Sequence, residues 1–191
     1  MGCSATSLIV VPKRTTESAN VEVFTERQKI LVRKTWKYLS NDLTGYGTMV
    51  FLRIFEQHPH VKKLFPSICN DEGETLLKNP LFKGHASRFM QAVGAVVDNL
   101  DNLEEALAPL LIGLGRNHIN FMGFRSEYFE AFTHAMVHVW KGQLKQRFTD
   151  EVKEAWMCVF NFIMQKLQEG YKMALEENGM SEEIQEMSRE S

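Results

Sequence analysis

Residues 80–100 read PLFKGHASRFMQAVGAVVDNL, with apolar side chains at Phe82, Phe89, Val93 and Val96 and His85 on the same stripe. Spacings of three and four residues put all five on one face of a helix. A second stretch, LAPLLIGLGRNH at 107–118, repeats the pattern with Leu107, Leu111, Leu114 and His118. Each histidine therefore points where its apolar neighbours point, and a ring aimed at a core needs a partner for its nitrogens.

The ordinary fate of one such histidine is a core residue bonded to a carbonyl. Two of them on separate apolar stripes have a further use. Two neutral imidazoles facing each other across an apolar slot can hold an iron porphyrin, since a metal supplies the partner that one ring nitrogen lacks.

Working outward, every segment reads as helix or connection. Thr25-Glu26-Arg27-Gln28 is a capping box opening a helix that carries Ile30, Leu31 and Trp36. A second helix spans about Leu43 to Phe55 with Met49, Phe51, Ile54 and Phe55; its Gly45 and Gly47 make sense only if another backbone passes close. Pro59 opens a short helix ending near Phe65-Pro66, and residues 67–79 read as an exposed acidic connection. Asn79-Pro80 starts the His85 helix, which fades near Leu100; Asp101 to Glu105 is a turn or frayed start. Pro109 falls in the first turn of the His118 helix.

Further on, Ser126 is the expected cap of a helix with Tyr128, Phe132, Met136 and Val139 on its inner face. Thr149 caps a last helix bearing Trp156, Val159, Ile163 and Leu167. With no strand-period segment, repeat or phosphate loop, the chain is expected to be all-α. The expected organisation is a flexible tether at 1–24, a single domain at 25–172 and an acidic flexible tail at 173–191.

Composition narrows the function classes. A net charge of −2 offers no basic surface for nucleic acid. Thirteen Phe and ten Met suit an interior packed around something large and flat. Cys3, Cys69 and Cys158 are too few and scattered for a disulfide framework, and none forms a CxxC. Leu8-Ile9-Val10-Val11 is too short for a signal peptide core or a membrane span. Met1-Gly2-Cys3-Ser4-Ala5-Thr6 fits the N-myristoylation pattern at Gly2, with Cys3 beside it for S-palmitoylation. One myristoyl chain binds membranes at only roughly 10⁴ M⁻¹, so Cys3 is the natural second signal. The pair Lys13-Arg14 is too small to act alone.

Trp36, Phe65-Pro66 after a proline-started helix, His85 and the run Leu114-Gly115-Arg116-Asn117-His118 together resemble the globin family over about residues 25–172. Phe51 through Pro59 and Glu154-Ala155-Trp156 resemble its neuroglobin-like branch, and the Met1-Gly2-Cys3 start resembles the membrane-attached globin X group. The resemblance implies a three-over-three helical sandwich holding haem b, iron protoporphyrin IX. It makes His118 the proximal iron ligand, His85 the distal one, and Phe65 the ring stacked on the porphyrin. Phe51 becomes a distal-pocket residue, Phe124 and Phe129 part of the pocket floor, and Arg88 a cation facing a propionate. Phe89 stands where most members carry a smaller side chain, so a crowded distal side and ligation of iron by both histidines are expected. Cys69 matches a loop cysteine that forms a disulfide in neuroglobin, but residues 70–80 hold no second cysteine, so no such bridge is expected. Cys158 is expected to be a buried small apolar residue. His134 and His138 stand four apart with nothing to complete a metal site, and His58 and His60 read as surface.

Function follows as an expectation: a monomeric haem protein peripheral to the cytosolic face of the plasma membrane, binding O2, NO and CO. Its partners would be membrane lipids and a reductase or electron acceptor. Nitrite reduction, peroxidase-like chemistry or lipid protection are the redox readings. The alternatives are a ligand-gated sensor and a simple oxygen store or carrier.

Overall fold

The computed structural model describes residues 24–189, with side chains described up to 179. Gly2, Cys3 and the remainder of the expected tether lie outside the described residues. Nine α-helices appear among them: α1 (Glu26–Leu39), α2 (Leu43–Gln57), α3 (Pro59–Lys62), α4 (Gly73–Lys78), α5 (Pro80–Asp98), α6 (Leu103–Ala106), α7 (Ala108–Asn117), α8 (Tyr128–Leu144) and α9 (Asp150–Arg189). No strand occurs among the described residues.

The local chemistry explains most boundaries. Thr25 and Gln28 form the reciprocal capping box that opens α1. Asn79 accepts hydrogen bonds from the backbone N–H groups of Leu81 and Phe82, and Pro80 takes the first position of α5. The Thr149 hydroxyl accepts from the N–H of Val152 at the start of α9. Glu127 rather than Ser126 holds the cap position of α8, with no side-chain hydrogen bond there. The helix thus buries Phe129 instead of Tyr128, alongside Met136, Val139 and Trp140.

Two connections differ from the sequence reading. Within 67–79, α4 forms and Ile68 and Leu76 are buried, because the loop packs down on the start of α5. The last helix does not loosen at Met173. Ala174 is buried and Arg116 of α7 pairs with Glu177, so helix continues where a separate tail is expected. Ile30 of α1 and Met49 of α2 are exposed.

The helices stack as three over three, α1, α5 and α7 against α2, α8 and α9. The most extensive packing is α7 on α9 and then α2 on α5. Glycines decide how close both crossings are. A Cβ on Gly47 would lie 2.4 Å from the carbonyl oxygen of Ala86 in α5. At the other crossing the relation is mutual: a Cβ on Gly115 would meet Leu167 O at 2.1 Å, and one on Gly170 would meet Ile112 O at 2.0 Å. Backbone meets backbone there, so neither side chain nor rotamer can yield.

Gly115→Ala and Gly170→Ala are each expected to destabilise the fold by about 1–3 kcal/mol, the range for overpacking. Gly113→Ala, where a Cβ meets nothing within 4 Å, should instead gain about 0.5–1 kcal/mol from helix propensity. Urea denaturation of the three variants checks the opposite signs; a uniform gain would mean that α7 and α9 do not cross this closely.

The core away from these crossings is aromatic. Trp156 lies between Trp36 and Trp140, at ring-centroid separations of 6.0 and 5.5 Å, and Phe160 stacks on it at 5.6 Å. The Trp156 indole donates to Thr35 Oγ1 at 2.9 Å, which gives a buried N–H its partner.

Candidate functional site

The two stripes quoted first face one cavity. A slot of about 220 Å³ is bounded by His85, Arg88, Phe89 and Val93 of α5, by Leu111, Leu114 and His118 at α7, and by Phe51 of α2. Phe129 and Phe132 of α8 and Ile163, Met164 and Leu167 of α9 close it. Its lining is apolar except for the two histidines and Arg88.

His118 stands where α7 ends and a short 3₁₀ turn, His118–Asn120, begins. A helix C-terminus leaves carbonyls without partners. The imidazole uses one of them: its Nδ1 lies 2.8 Å from Leu114 O. A carbonyl only accepts, so Nδ1 carries the proton and donates, leaving Nε2 as the lone-pair nitrogen of the neutral ring. Burial pushes the His118 pKa below its ordinary value, against hydrogen bonds to Leu114 and Gly115 that pull the other way. Around it stand Phe124 at 4.8 Å and Phe129 at 5.0 Å between ring centroids. The Tyr171 hydroxyl donates to Phe124 O at 3.0 Å, which ties this loop to α9.

His85 lies edge-on between Phe51 at 4.9 Å and Phe65 at 5.0 Å. Its pKa is pushed down to about 4, first by desolvation, then by the charges of Arg88 and His118. Burial thus keeps this ring neutral near pH 7, and among the described residues it has no hydrogen bond, which leaves it free to present a nitrogen. Phe89 packs 5.5 Å from Phe51 and 5.4 Å from Phe132, turned into the slot rather than out of it. Phe89 thus lines the slot from the same helix as His85.

Of the residues singled out in the sequence, Phe51, His85, Arg88, Phe89, His118 and Phe129 line the slot directly. Phe65 sits at its mouth, with Ser67, Leu81, His85 and Arg88. Phe124 supports His118 from behind rather than lining the slot. Arg88 is exposed, and it lines both slot and mouth. Phe132, Ile163 and Leu167 are legible in the sequence as helix faces only, and nothing in the sequence singles out Met164. Cys69 and Cys158 are free thiols. Cys158 is half-buried instead of buried, and its sulfur accepts from Gln28 Nε2 at 3.4 Å. His134 and His138 are exposed.

A three-over-three sandwich with two histidines on facing helices is a globin arrangement. The globin family profile matches residues 48–167, and the chain belongs to that family. It is 28% identical over 152 residues to neuroglobin of Dissostichus mawsoni, across 79% of this chain and 94% of that protein. To neuroglobin of Danio rerio it is 27% identical over 153 residues, with the same shares covered. Among solved structures, a hexacoordinated heme protein from an anhydrobiotic tardigrade is similar at a TM-score of 0.73 and 26% identity, across 78% of this chain and 96% of that one.

Proposed function

We infer that the slot holds haem b, which His118 and His85 would ligate, and that the bound haem would supply the centre at which the protein takes up O2, NO and CO. The observation that carries this reading is the fixed tautomer of His118 facing, in the same apolar slot, a neutral His85 with no hydrogen bond among the described residues. The donor chemistry fits. Among the described residues no group of three or more His, Cys, Asp or Glu is placed to hold a bare metal ion. Two imidazoles alone supply two ligands, so the remaining ligands must come with the metal, as a porphyrin brings them.

In this reading His118 is the permanent ligand and His85 the exchangeable one. Phe65 and Phe51 would pack against the haem, Phe124 and Phe129 brace His118, and Arg88 would pair with a propionate. Haem supplies the centre at which a gas or an electron is taken up. The apolar lining keeps water from that centre. Phe51 and Phe89 restrict the space into which His85 can swing, so an external ligand competes with a ring that is held close. Its apparent affinity falls by the fraction of molecules in which His85 has left.

The absorption spectrum of the haem-loaded, reduced, O2-free protein tests this. A sharp, split low-spin spectrum is the expected result. A broad high-spin band would remove His85 as a ligand and favour plain oxygen storage. A redox role near a membrane, including nitrite reduction, would appear as sustained nitrite consumption that His118→Ala abolishes.

The haem-free protein has a pH signature. His85 takes up a proton at about 4 when folded and near 6.5 when unfolded. Above pH 6.5 both forms are neutral and the group is silent. Between 6.5 and 4 only the unfolded chain binds the proton, so stability falls with acidification, by on the order of 3 kcal/mol in full. Urea denaturation at pH 7 and 4.5 measures the loss, which should shrink in His85→Leu.

The Met1-Gly2-Cys3 start supports acyl anchoring at a membrane. No described helix is long and apolar enough to cross one. Gly2→Ala is expected to move the protein from the membrane to the soluble fraction of lysed cells; retention on membranes would remove the anchor from this reading.

A further inference from the structure

Two surface depressions share lining residues with the slot. One is the mouth beside His85 and Arg88. The other lies in the wall formed by α8 and α9, where a groove of about 390 Å³ is lined by Glu130, Thr133, His134, Asn161, Gln165 and Gln168. The only apolar side chain lining that groove is Met164. Met164 also lines the slot, and among the described residues no other side chain is shared by the two.

Helix geometry makes this place thin. Along α8, Phe129 and Phe132 face the slot while Glu130 and Thr133, one residue on, face the groove. Along α9, Ile163 and Leu167 face the slot while Asn161, Gln165 and Gln168 face the groove. Where the two faces meet, Met164, 6% exposed, lines both slot and groove.

We propose that Met164 is a gate through which small apolar ligands pass between the α8–α9 groove and the slot, separate from the mouth at His85. This rests on the reading of the slot as a haem site. A methionine suits the task because it is unbranched, and rotation about its three side-chain bonds moves the Sδ–Cε end without shifting the backbone. Its apolar surface also discriminates. A diatomic gas crosses it with no hydrogen bonds to shed, whereas an anion would lose its hydration and find no cation in the slot wall of α8 or α9. Anionic ligands are thereby confined to the mouth, where Arg88 stands.

The test is flash photolysis of the CO complex of the full-length, haem-loaded protein. The readout is the fraction of CO that recombines from inside the protein before escaping. Met164→Trp blocks the gate and should slow escape by about threefold or more, raising that fraction; Met164→Ala should lower it. Thr133→Trp fills the groove from outside and does not touch the core, so it should also raise the fraction even if a Met164 variant folds poorly. If haem binds with the two-histidine spectrum and Met164→Trp and Thr133→Trp both keep the wild-type fraction, the gate is overturned and the haem site stands. If the wild-type protein does not retain haem, the reading of the slot falls and the gate with it.

Discussion

His118→Ala is expected to lose haem from a protein that otherwise folds. In the proposed haem site the imidazole would be the ligand whose orientation the fold prepares: the end of α7 supplies a carbonyl at Leu114, and that carbonyl holds the proton on Nδ1. Removing only such a supporting partner from a metal ligand costs about 10- to 100-fold in affinity. Removing the ligand itself should therefore cost at least about 100-fold. Transfer of haem to a competing apoprotein measures the loss directly. Added imidazole should restore part of the binding, because the truncated side chain leaves room beside Phe124 and Phe129. Full retention of haem in His118→Ala, with no response to imidazole, would mean that iron takes its permanent ligand elsewhere.

His85→Ala is expected to do the opposite for gases. The reduced protein should change from a low-spin to a high-spin spectrum, and its affinity for CO should rise. The size of the gain reports how rarely His85 leaves iron. Minor states of proteins are commonly populated at about 0.1–10%, so the gain should lie between about 10- and 1,000-fold. Phe89 and Phe51, both turned toward the slot, set the upper end by leaving His85 little room to swing away. CO equilibrium titration of the two proteins under one set of conditions decides it. An unchanged low-spin spectrum in His85→Ala would identify a different sixth ligand.

The two experiments separate the roles of residues that look alike in the sequence. Both histidines sit on apolar stripes of helical spacing, and both rings are neutral near pH 7 because burial disfavours their charge. What distinguishes them is the second nitrogen. Nδ1 of His118 is engaged by a carbonyl four residues earlier, whereas His85 packs edge-on against Phe51 and Phe65 in the field of Arg88, with no hydrogen bond among the described residues. A ring held by the backbone suits a permanent ligand, and a ring held by packing suits one that must leave.

Helix periodicity alone determined the all-α class, the faces of α5 and α7, and the aim of His85 and His118, because the 3.6-residue repeat reports which side chains share a side. Capping chemistry likewise set the starts of α1, α5 and α9, since a cap is a contact within three residues. Tertiary structure decided which faces meet. Ile163 and Leu167 read as one more apolar stripe on α9 until that helix is laid against α7 and, with Met164, closes the slot. Gly115 and Gly170, 55 residues apart in the chain, read singly as helix-weakening residues, and only their mutual crossing explains them. The helical course of α9 beyond Met173 has the same origin: its local sequence is polar, but Ala174 is buried and Glu177 reaches Arg116 across the helix pair. A linear sequence displays periodicity and caps because both are local; the pairing of surfaces depends on contacts between residues far apart in the chain, and only the folded protein brings those together.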